Sequence, residues 1–246
     1  VGVQAAACPS EAEALRQSEI DLAPEFLVEK VELTWKIRDH GRLLATLRSD
    51  PSVFPLPRGQ ATADLDEDER EIDEFELLDR PRISASDLPR LHPGQIPRPI
   101  AGITVKANTV TLVALEDGTL DDIRDRFTAM VGTAIPPAQP STKVVGKLDR
   151  NAQVLHVRWQ VPSDSDPTEL ERLQREQSRI IHLEIWPKNP VSELGGKTPE
   201  QLARESGPRL GIRAMLTDMA AGAEDAWFQD LVAEMRQRLG VPQETL

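Results

Sequence analysis

The chain has 246 residues, of which 39% are apolar and 28% charged, and its formal net charge is −12. This length is sufficient to bury a hydrophobic core, and no apolar run approaches the roughly 20 residues of a transmembrane helix. An acidic chain is also a poor candidate for binding the phosphate backbone of nucleic acids. Composition therefore predicts a globular protein whose partner is neither a membrane nor a nucleic acid.

The first eight residues and the single cysteine bear on the expected location of the protein. Residues 1–8 lack the basic start and the long apolar region of a signal peptide. Cys8 is the only cysteine, which excludes an intrachain disulfide and a cage of thiolate metal ligands. We therefore expect a reducing, cytoplasmic location. Because the first residue is Val1 and not methionine, we also expect a processed chain or a piece of a longer protein.

The first 50 residues are predicted to form a short helix and a β-hairpin. Residues 9–17 have the starting residues and the early acids of a helix. Strict alternation of apolar and polar residues predicts a half-buried strand over residues 31–37; a helix over the same residues fits less well. Asp39-His40-Gly41 is typical of a turn, and the alternation of Leu43, Ala45 and Leu47 predicts a return strand.

Residues 51–99 form a Pro-rich, acidic connection with eight prolines. Ten acids and one arginine lie between Asp64 and Asp79, a local net charge of −9 that leaves −3 for the rest. Such a run is most often a loop or a solvated face. A helix over residues 64–78 is the alternative, because Leu65, Ile72, Phe75 and Leu78 would share one face. A short strand is predicted near Ile83, and residues 88–99 should be extended because each proline disfavours helix at the preceding residue.

Residues 100–162 are predicted to form a strand–helix–strand sheet unit. Residues 100–115 have the pattern of a hairpin that turns at Lys106-Ala107-Asn108. A helix follows, with Thr119 as its N-cap and Gly132 at its end. Its predicted apolar face consists of Leu120, Ile123, Phe127, Met130 and Val131. After a connection over residues 136–140, strands are predicted over residues 143–148 and 153–161.

Residues 163–246 are predicted to be a helical domain. Asp166-Pro167-Thr168-Glu169 is a capping box with proline at the first helical position, and it starts a helix that runs to about Trp186. Three shorter helices are predicted near residues 199–205, 208–220 and 223–239. The fold class is therefore predicted to be α+β, with β-hairpins and a sheet in the N-terminal part and helices in the C-terminal part.

Gly195-Gly196-Lys197-Thr198 has the tail of a phosphate-binding P-loop. The full pattern requires a glycine five residues before Gly196, where Val191 stands, and a preceding strand, where the chain reads WPKNP. A structural interpretation explains every residue of the motif. The glycines permit a tight turn, Thr198 is an N-cap, Pro199 is the first helical residue, and Gln201 completes a capping box.

Other candidate chemistry is sparse, and we predict no catalytic residue, no cofactor and no metal site. The four histidines form no HxxxH pair, so spacing assembles no zinc site: His40, His92, His156 and His182. An enzyme would need a cleft between the sheet and the helical half, with His156, Arg158 and an acid in its lining. A helix-turn-helix over residues 198–220, with Arg209 and Arg213 on its second helix, is the pattern of a DNA-binding regulator.

The segment Trp186…Pro190…Leu194-Gly195-Gly196-Lys197-Thr198-Pro199-Glu200 resembles the LGG-x-TP signature of two groups of bacterial proteins. One group is the C-terminal toxin-binding domain of Xre/ParS-type antitoxins. The other consists of uncharacterised proteins that are often linked to the SecA-type C-terminal zinc motif. In the second group a unit similar to residues 103–131 precedes a charged helix and LGGKTP, so the resemblance covers roughly residues 100–239. The cysteine cluster of the zinc motif and the antitoxins' DNA-binding helices are absent here.

These observations predict a non-enzymatic protein-interaction or regulatory module whose partner is unknown. The turn over residues 188–197 and the two following helices are predicted to face the partner. Five residues would make the contact: Leu194, Lys197, Leu202, Ile212 and Leu216. The alternatives are the DNA-binding regulator and an enzyme with a site between the sheet and the helical half.

Overall fold

The computed structural model describes residues 27–57, 72–150, 157–205, 209–223 and 225–241. Several sequence predictions lie wholly or partly outside these residues, among them the helix over residues 9–17, the position of Cys8, residues 64–71 of the acidic run, the first part of the strand over residues 153–161, and the position of His156.

Six antiparallel strands form one sheet in this part of the chain, in the order β2-β3-β4-β5-β1-β6. They are β1 (Leu27–Lys36), β2 (Val53–Pro55), β3 (Ile72–Leu78), β4 (Pro99–Lys106), β5 (Thr109–Leu115) and β6 (Ser141–Asp149). The predicted α+β fold class is confirmed, because the remaining elements are helices that lie mostly in the C-terminal part. The three segments distinguished in the sequence, residues 1–50, 51–99 and 100–162, all contribute strands to this sheet.

The predicted hairpin over residues 100–115 is confirmed as β4 and β5. Lys106 pairs with Thr109, so Ala107 and Asn108 form the turn, and Ala107 adopts a positive φ of 45°. The apolar residues of β5 alternate between buried and half-buried positions. This alternation places Val110 and Leu112 in the core and leaves Thr111 and Val113 half-buried on the other side of the sheet.

Two helices cover the apolar face of the sheet, α1 (His40–Ser49) and α2 (Leu120–Val131). Helix α2 has the predicted limits and ends at Gly132, whose φ is +54°. The Phe127 ring lies 5.3 Å from the Trp35 ring of β1, between centroids. The shared core is mostly aliphatic: Val31, Leu33, Leu43, Leu47, Leu77, Ile103, Val105, Val110, Leu112 and Ile123.

The predicted return strand with Leu43, Ala45 and Leu47 is wrong, because these residues lie in α1. Leu43 and Leu47 are fully buried one helical turn apart, whereas Ala45 is exposed. Residues four positions apart share a face in a helix and also in a strand, so this pair satisfies both patterns. The Asp39 carboxylate accepts a hydrogen bond of 2.9 Å from the Arg42 backbone N–H and starts the helix.

The expected extended conformation of residues 88–99 is only partly correct, and the strand near Ile83 is wrong. Two short 3₁₀ helices cover Ala85–Arg90 and Pro93–Gln95, and Ile83 lies in a loop. Each 3₁₀ helix has its own cap: Ser84 donates to Asp87, and His92 Nδ1 accepts from the Gly94 N–H at 3.1 Å. Capping stabilises the first turn of each helix despite the nearby prolines.

The end of the acidic run forms a strand and not a helix. In β3 the side chains of Phe75 and Leu77 enter the core beneath α1 and α2, and Glu76 points to the opposite face. Pairing with β4 over the whole length of β3 satisfies its backbone groups. Tertiary strand pairing therefore overrides the helical spacing of Ile72, Phe75 and Leu78.

The predicted helices of the C-terminal part are confirmed. They are α3 (Pro167–Ile180), α4 (Pro199–Arg204), α5 (Leu210–Ala221) and α6 (Ala226–Arg238). Helix α3 starts at Asp166, whose carboxylate accepts from the Thr168 N–H at 2.8 Å. It continues through a π-helical turn (Ile181–Ile185) and a 3₁₀ turn (Trp186–Lys188), so the predicted end near Trp186 is also correct.

The strand predicted over residues 153–161 is wrong for residues 157–161, and residues 151–156 lie outside the described part. Residues 157–161 cross the sheet near β3 and β4 without entering it. The Gln160 N–H donates to the Pro97 carbonyl at 2.9 Å, and Trp159 and Val161 pack on a small core formed by Leu88, Ile96 and Leu173. Packing below α3 thus replaces strand pairing.

The helical assignment of α1 gives the first testable prediction. We expect Leu43→Ala to lower the free energy of unfolding by about 2–5 kcal/mol because it removes a buried side chain. Ala45→Glu should change it by less than about 0.5 kcal/mol, because this position faces solvent. Urea unfolding of both variants measures the difference. Equal destabilisation by the two substitutions would contradict the helix, since a strand would place both side chains on one face.

Candidate functional site

The LGGKTP turn is a closed structural element. The backbone N–H groups of Leu194, Gly195, Gly196 and Lys197 all donate to carbonyls within residues 191–194. Gly195 and Gly196 have φ values of +65° and +77°, which residues other than glycine rarely adopt. No N–H of these four residues is left to bind a phosphate, so the structural interpretation of the motif is confirmed.

The turn also starts the next helix as the sequence predicts. Thr198 Oγ1 accepts from the Gln201 N–H at 3.1 Å, and Gln201 Oε1 accepts from the Thr198 N–H at 2.9 Å. This is a complete capping box. Gly211 of α5 approaches the turn closely, since a Cβ atom there would lie 2.9 Å from Leu194 Cδ2. The turn and α5 therefore pack tightly together.

Most of the predicted partner-facing residues lie in the core of the helical part. Leu194, Ile212 and Leu216 are 8%, 1% and 0% exposed, and Leu202 packs against the same core. Lys197 is the exposed member of the set, and its Nζ lies 2.7 Å from Glu205 Oε1. The apolar spacing that predicted a docking groove also fits residues that pack inside a helical core. The four apolar residues of the set pack in that core and therefore form no exposed groove.

The structure brings together a different set of residues in a cleft of about 680 Å³ beside the turn. Its walls are the end of the α3 extension, helix α4 and the end of α6. Four basic residues line it: Lys188, Arg204, Arg209 and Arg238. The acids in its lining are Glu184 and Glu200.

Three helix ends converge on this cleft, and each carries a basic residue in its last turn. Lys188 ends the α3 extension, Arg204 ends α4, and Arg238 ends α6. Basic residues are favourable there because the carbonyl end of a helix carries partial negative charge. Sequence reasoning missed the cleft because these residues are far apart along the chain. The available signal was a Lys or Arg at the end of each predicted helix.

Two of the cleft arginines are paired with glutamates, and a third is bound by backbone. Arg204 lies 3.4 Å from Glu200 and Arg238 lies 2.9 Å from Glu234, both as exposed pairs on single helices. Arg209 Nη1 donates to the carbonyls of Leu239 at 3.4 Å and Gly240 at 2.5 Å. Lys188 is exposed at the end of the α3 extension. Exposed helix pairs of this kind are weak enough for a ligand to exchange.

Arg209 is also one of the two arginines on the second helix of the DNA-binding alternative. Its guanidinium fastens the start of α5 to the end of α6. These hydrogen bonds use Nη1 alone and fix the position of the guanidinium, which keeps the N–H donors of Nε and Nη2. The helix before it, α4, has only six residues.

The enzyme alternative required Arg158 near an acid, and the structure identifies that acid as Glu76. Its side chain lies on the face of the sheet opposite α1 and α2 and is 6% exposed. Arg158 Nη2 pairs with one carboxylate oxygen, and Gln160 Nε2 donates to the other. Lys30 and Gly102 also line the adjoining cavity of about 350 Å³. Both carboxylate oxygens of Glu76 have partners on residues 157–161. The carboxylate therefore anchors this segment to the sheet and has no free oxygen to act as a general base.

His182 lies in the π-helical turn, packed between helices. Its Nδ1 lies 2.9 Å from the Ser178 carbonyl, and its ring meets the Phe228 ring edge-on with centroids 5.2 Å apart. Burial lowers the pKa of this imidazole below its ordinary value of 6.5, and the hydrogen bond to Ser178 offsets the effect only in part. His182 therefore packs as a neutral side chain.

No protein-family model, curated protein or solved structure matches this chain. None of the helices in the described ranges is long and apolar enough to cross a membrane. Within the same ranges, no three His, Cys, Asp or Glu side chains are grouped as metal ligands.

The His182 environment predicts a pH dependence of stability. Its pKa is lower in the folded than in the unfolded protein, so as pH falls below 6.5 the unfolded form takes up the proton first. We expect the free energy of unfolding to decrease from about pH 7 to pH 5 by more in the wild type than in His182→Gln. Urea unfolding at each pH measures both. If the free energy of unfolding changes equally with pH in both proteins, His182 titrates alike in the folded and unfolded states.

The ion pair between Glu76 and Arg158 predicts that the two residues are coupled in their effect on stability. Arg158→Ala leaves a buried carboxylate with only Gln160 as its partner. A broken buried ion pair typically lowers the free energy of unfolding by about 3–5 kcal/mol. We expect a smaller loss here, because the Arg158 side chain is 65% exposed. Adding Glu76→Gln should recover part of the loss, which urea unfolding in a double-mutant cycle measures. Arg82→Ala, an exposed control, should change stability by less than about 0.5 kcal/mol. Additive losses for Glu76→Gln and Arg158→Ala would contradict the anchor.

Proposed function

We propose that this chain is a non-enzymatic protein-interaction or regulatory module that binds an acidic segment of a partner protein. The binding surface is the cleft defined by Lys188, Arg204, Arg209 and Arg238. The observation that carries the proposal is the convergence of three helix ends, each with a basic residue, on one cleft. Carboxylates of a partner would bind these side chains as charge-assisted hydrogen-bond acceptors.

The charge distribution supports a binding role. Residues 167–246 contain ten basic and thirteen acidic residues, so the helical part is acidic as a whole. The cleft is nevertheless lined by four basic and two acidic side chains. A local patch of opposite sign steers a complementary partner and disfavours others. The resemblance of the adjacent LGGKTP turn to a toxin-binding domain supports a protein as the partner class, and the single cysteine supports a cytoplasmic location.

The proposal is tested with a fluorescein-labelled peptide of alternating glutamate and glycine, whose binding is followed by anisotropy. We expect saturable binding that weakens with added salt. Lys188→Glu with Arg204→Glu reverses two exposed charges in the cleft and should weaken binding at least tenfold. Lys106→Glu with Lys143→Glu makes the same change of net charge on exposed sheet positions and should leave binding within twofold.

Equal weakening by the two double variants would contradict the proposal, because it would show attraction to net charge alone. Absence of saturable binding by the wild type would also contradict it. Circular dichroism of each variant confirms that the four exposed substitutions leave the fold intact.

A further inference from the structure

A second cavity, of about 600 Å³, lies in the sheet unit at the C-terminal end of α2. It is bounded by the end of β1, by α2 and by residues 132–140. Its apolar lining includes Trp35, Ile135 and three prolines, Pro136, Pro137 and Pro140. Nothing in the proposed binding of an acidic protein segment uses this cavity, whose size is that of a small-molecule site.

The walls of the cavity are held in place without a ligand. The Ala134 carbonyl accepts from the N–H groups of Arg38 at 2.8 Å and Asp39 at 3.3 Å, which joins the 132–140 connection to the end of β1. Ala134 and Ile135 are buried. The three prolines fix their own φ angles near −65°. A wall with so little conformational freedom loses little entropy when a ligand binds.

The polar groups of the cavity fall into two classes. Arg124 is paired with two carboxylates, Asp121 at 2.6 Å and Asp125 at 3.0 Å, and the Thr128 hydroxyl donates to the Asp125 carbonyl. By contrast, the side chains of Arg38, Thr133 and Gln139 have no partner in the part of the chain that the structure describes. The cavity therefore offers one guanidinium without a direct partner and two neutral donors beside an apolar wall.

We propose that this cavity binds a small organic carboxylate. The Arg38 guanidinium would hold the anionic head, with Thr133 and Gln139 as additional donors, and the apolar body would lie against Ile135 and the prolines. Arg38 is a single unpaired cation, and the neighbouring group of Arg124, Asp121 and Asp125 carries a net charge of −1. This favours a carboxylate over a phosphate ester with its charge near −2.

Benzoate is the probe, with benzamide as a neutral molecule of the same shape. In a titration of the whole 246-residue chain followed by amide ¹H–¹⁵N shifts, we expect saturable changes at Gly132, Thr133, Ala138 and Gln139. Benzamide and phenyl phosphate should each bind at least tenfold more weakly. Arg38→Ala should weaken benzoate binding at least tenfold. Arg42→Ala, an exposed arginine of α1 outside the cavity lining, should leave it within twofold.

Three outcomes would overturn the proposal. Absence of saturable shifts at residues 132–139 would show that the cavity binds no carboxylate. Equal binding of benzamide would show that charge is not recognised, and tighter binding of phenyl phosphate would assign the site to phosphate esters. Unchanged affinity in Arg38→Ala would exclude the assigned cation. Arg38 is exposed, so its variant should keep the wild-type spectrum away from the cavity.

Discussion

The structure depends on one helix that takes part in two hydrophobic cores. Leu173, in the first half of α3, is fully buried with Leu88 and Ile96 beneath the sheet unit. Leu183 and Trp186, in its extension, enter the core of the helical part. Ion pairs and hydrogen bonds follow the same division: Arg172 donates to the carbonyls of Leu88 and Leu91, and Arg179 pairs with Glu234 of α6. Helix α3 thus joins the two parts of the chain, and its extension forms one wall of the cleft that contains Lys188.

The chain is acidic, yet its two candidate binding regions are basic. The cleft beside the LGGKTP turn and the cavity near Arg38 each gather arginine or lysine side chains where helix ends or a strand end meet irregular backbone. Glu76 shows the opposite arrangement, since its buried carboxylate is fully engaged by Arg158 and Gln160. Both proposed binding regions therefore lie where cations are accessible, and the best-defined buried charge serves the fold.

Local signals explain which elements could be predicted from the sequence. Helices α2 and α3 are predictable from the sequence because the starting residues, apolar face and end of each helix lie within a short stretch of the chain. Helix α1 was mistaken for a strand because Leu43 and Leu47 satisfy both periods. The candidate site was not predictable in the same way. Lys188, Arg204 and Arg238 meet only after three helices pack, and Leu194 and Ile212 have the same spacing in a buried core as in an exposed groove.

The π-helical turn has a consequence for how insertions and deletions are tolerated. The Trp186 N–H donates to the Ile181 carbonyl five residues earlier, so the turn holds one residue more than an α-helix would. Removal of one residue between Ile181 and Ile185 would therefore convert this turn to regular α-helix and leave Trp186 close to its place in the core. Removal of one residue from the regular part of α3 would instead rotate everything that follows by about 100°. The π-helical turn is thus the position in α3 where a one-residue deletion disturbs the packing of the helical part least.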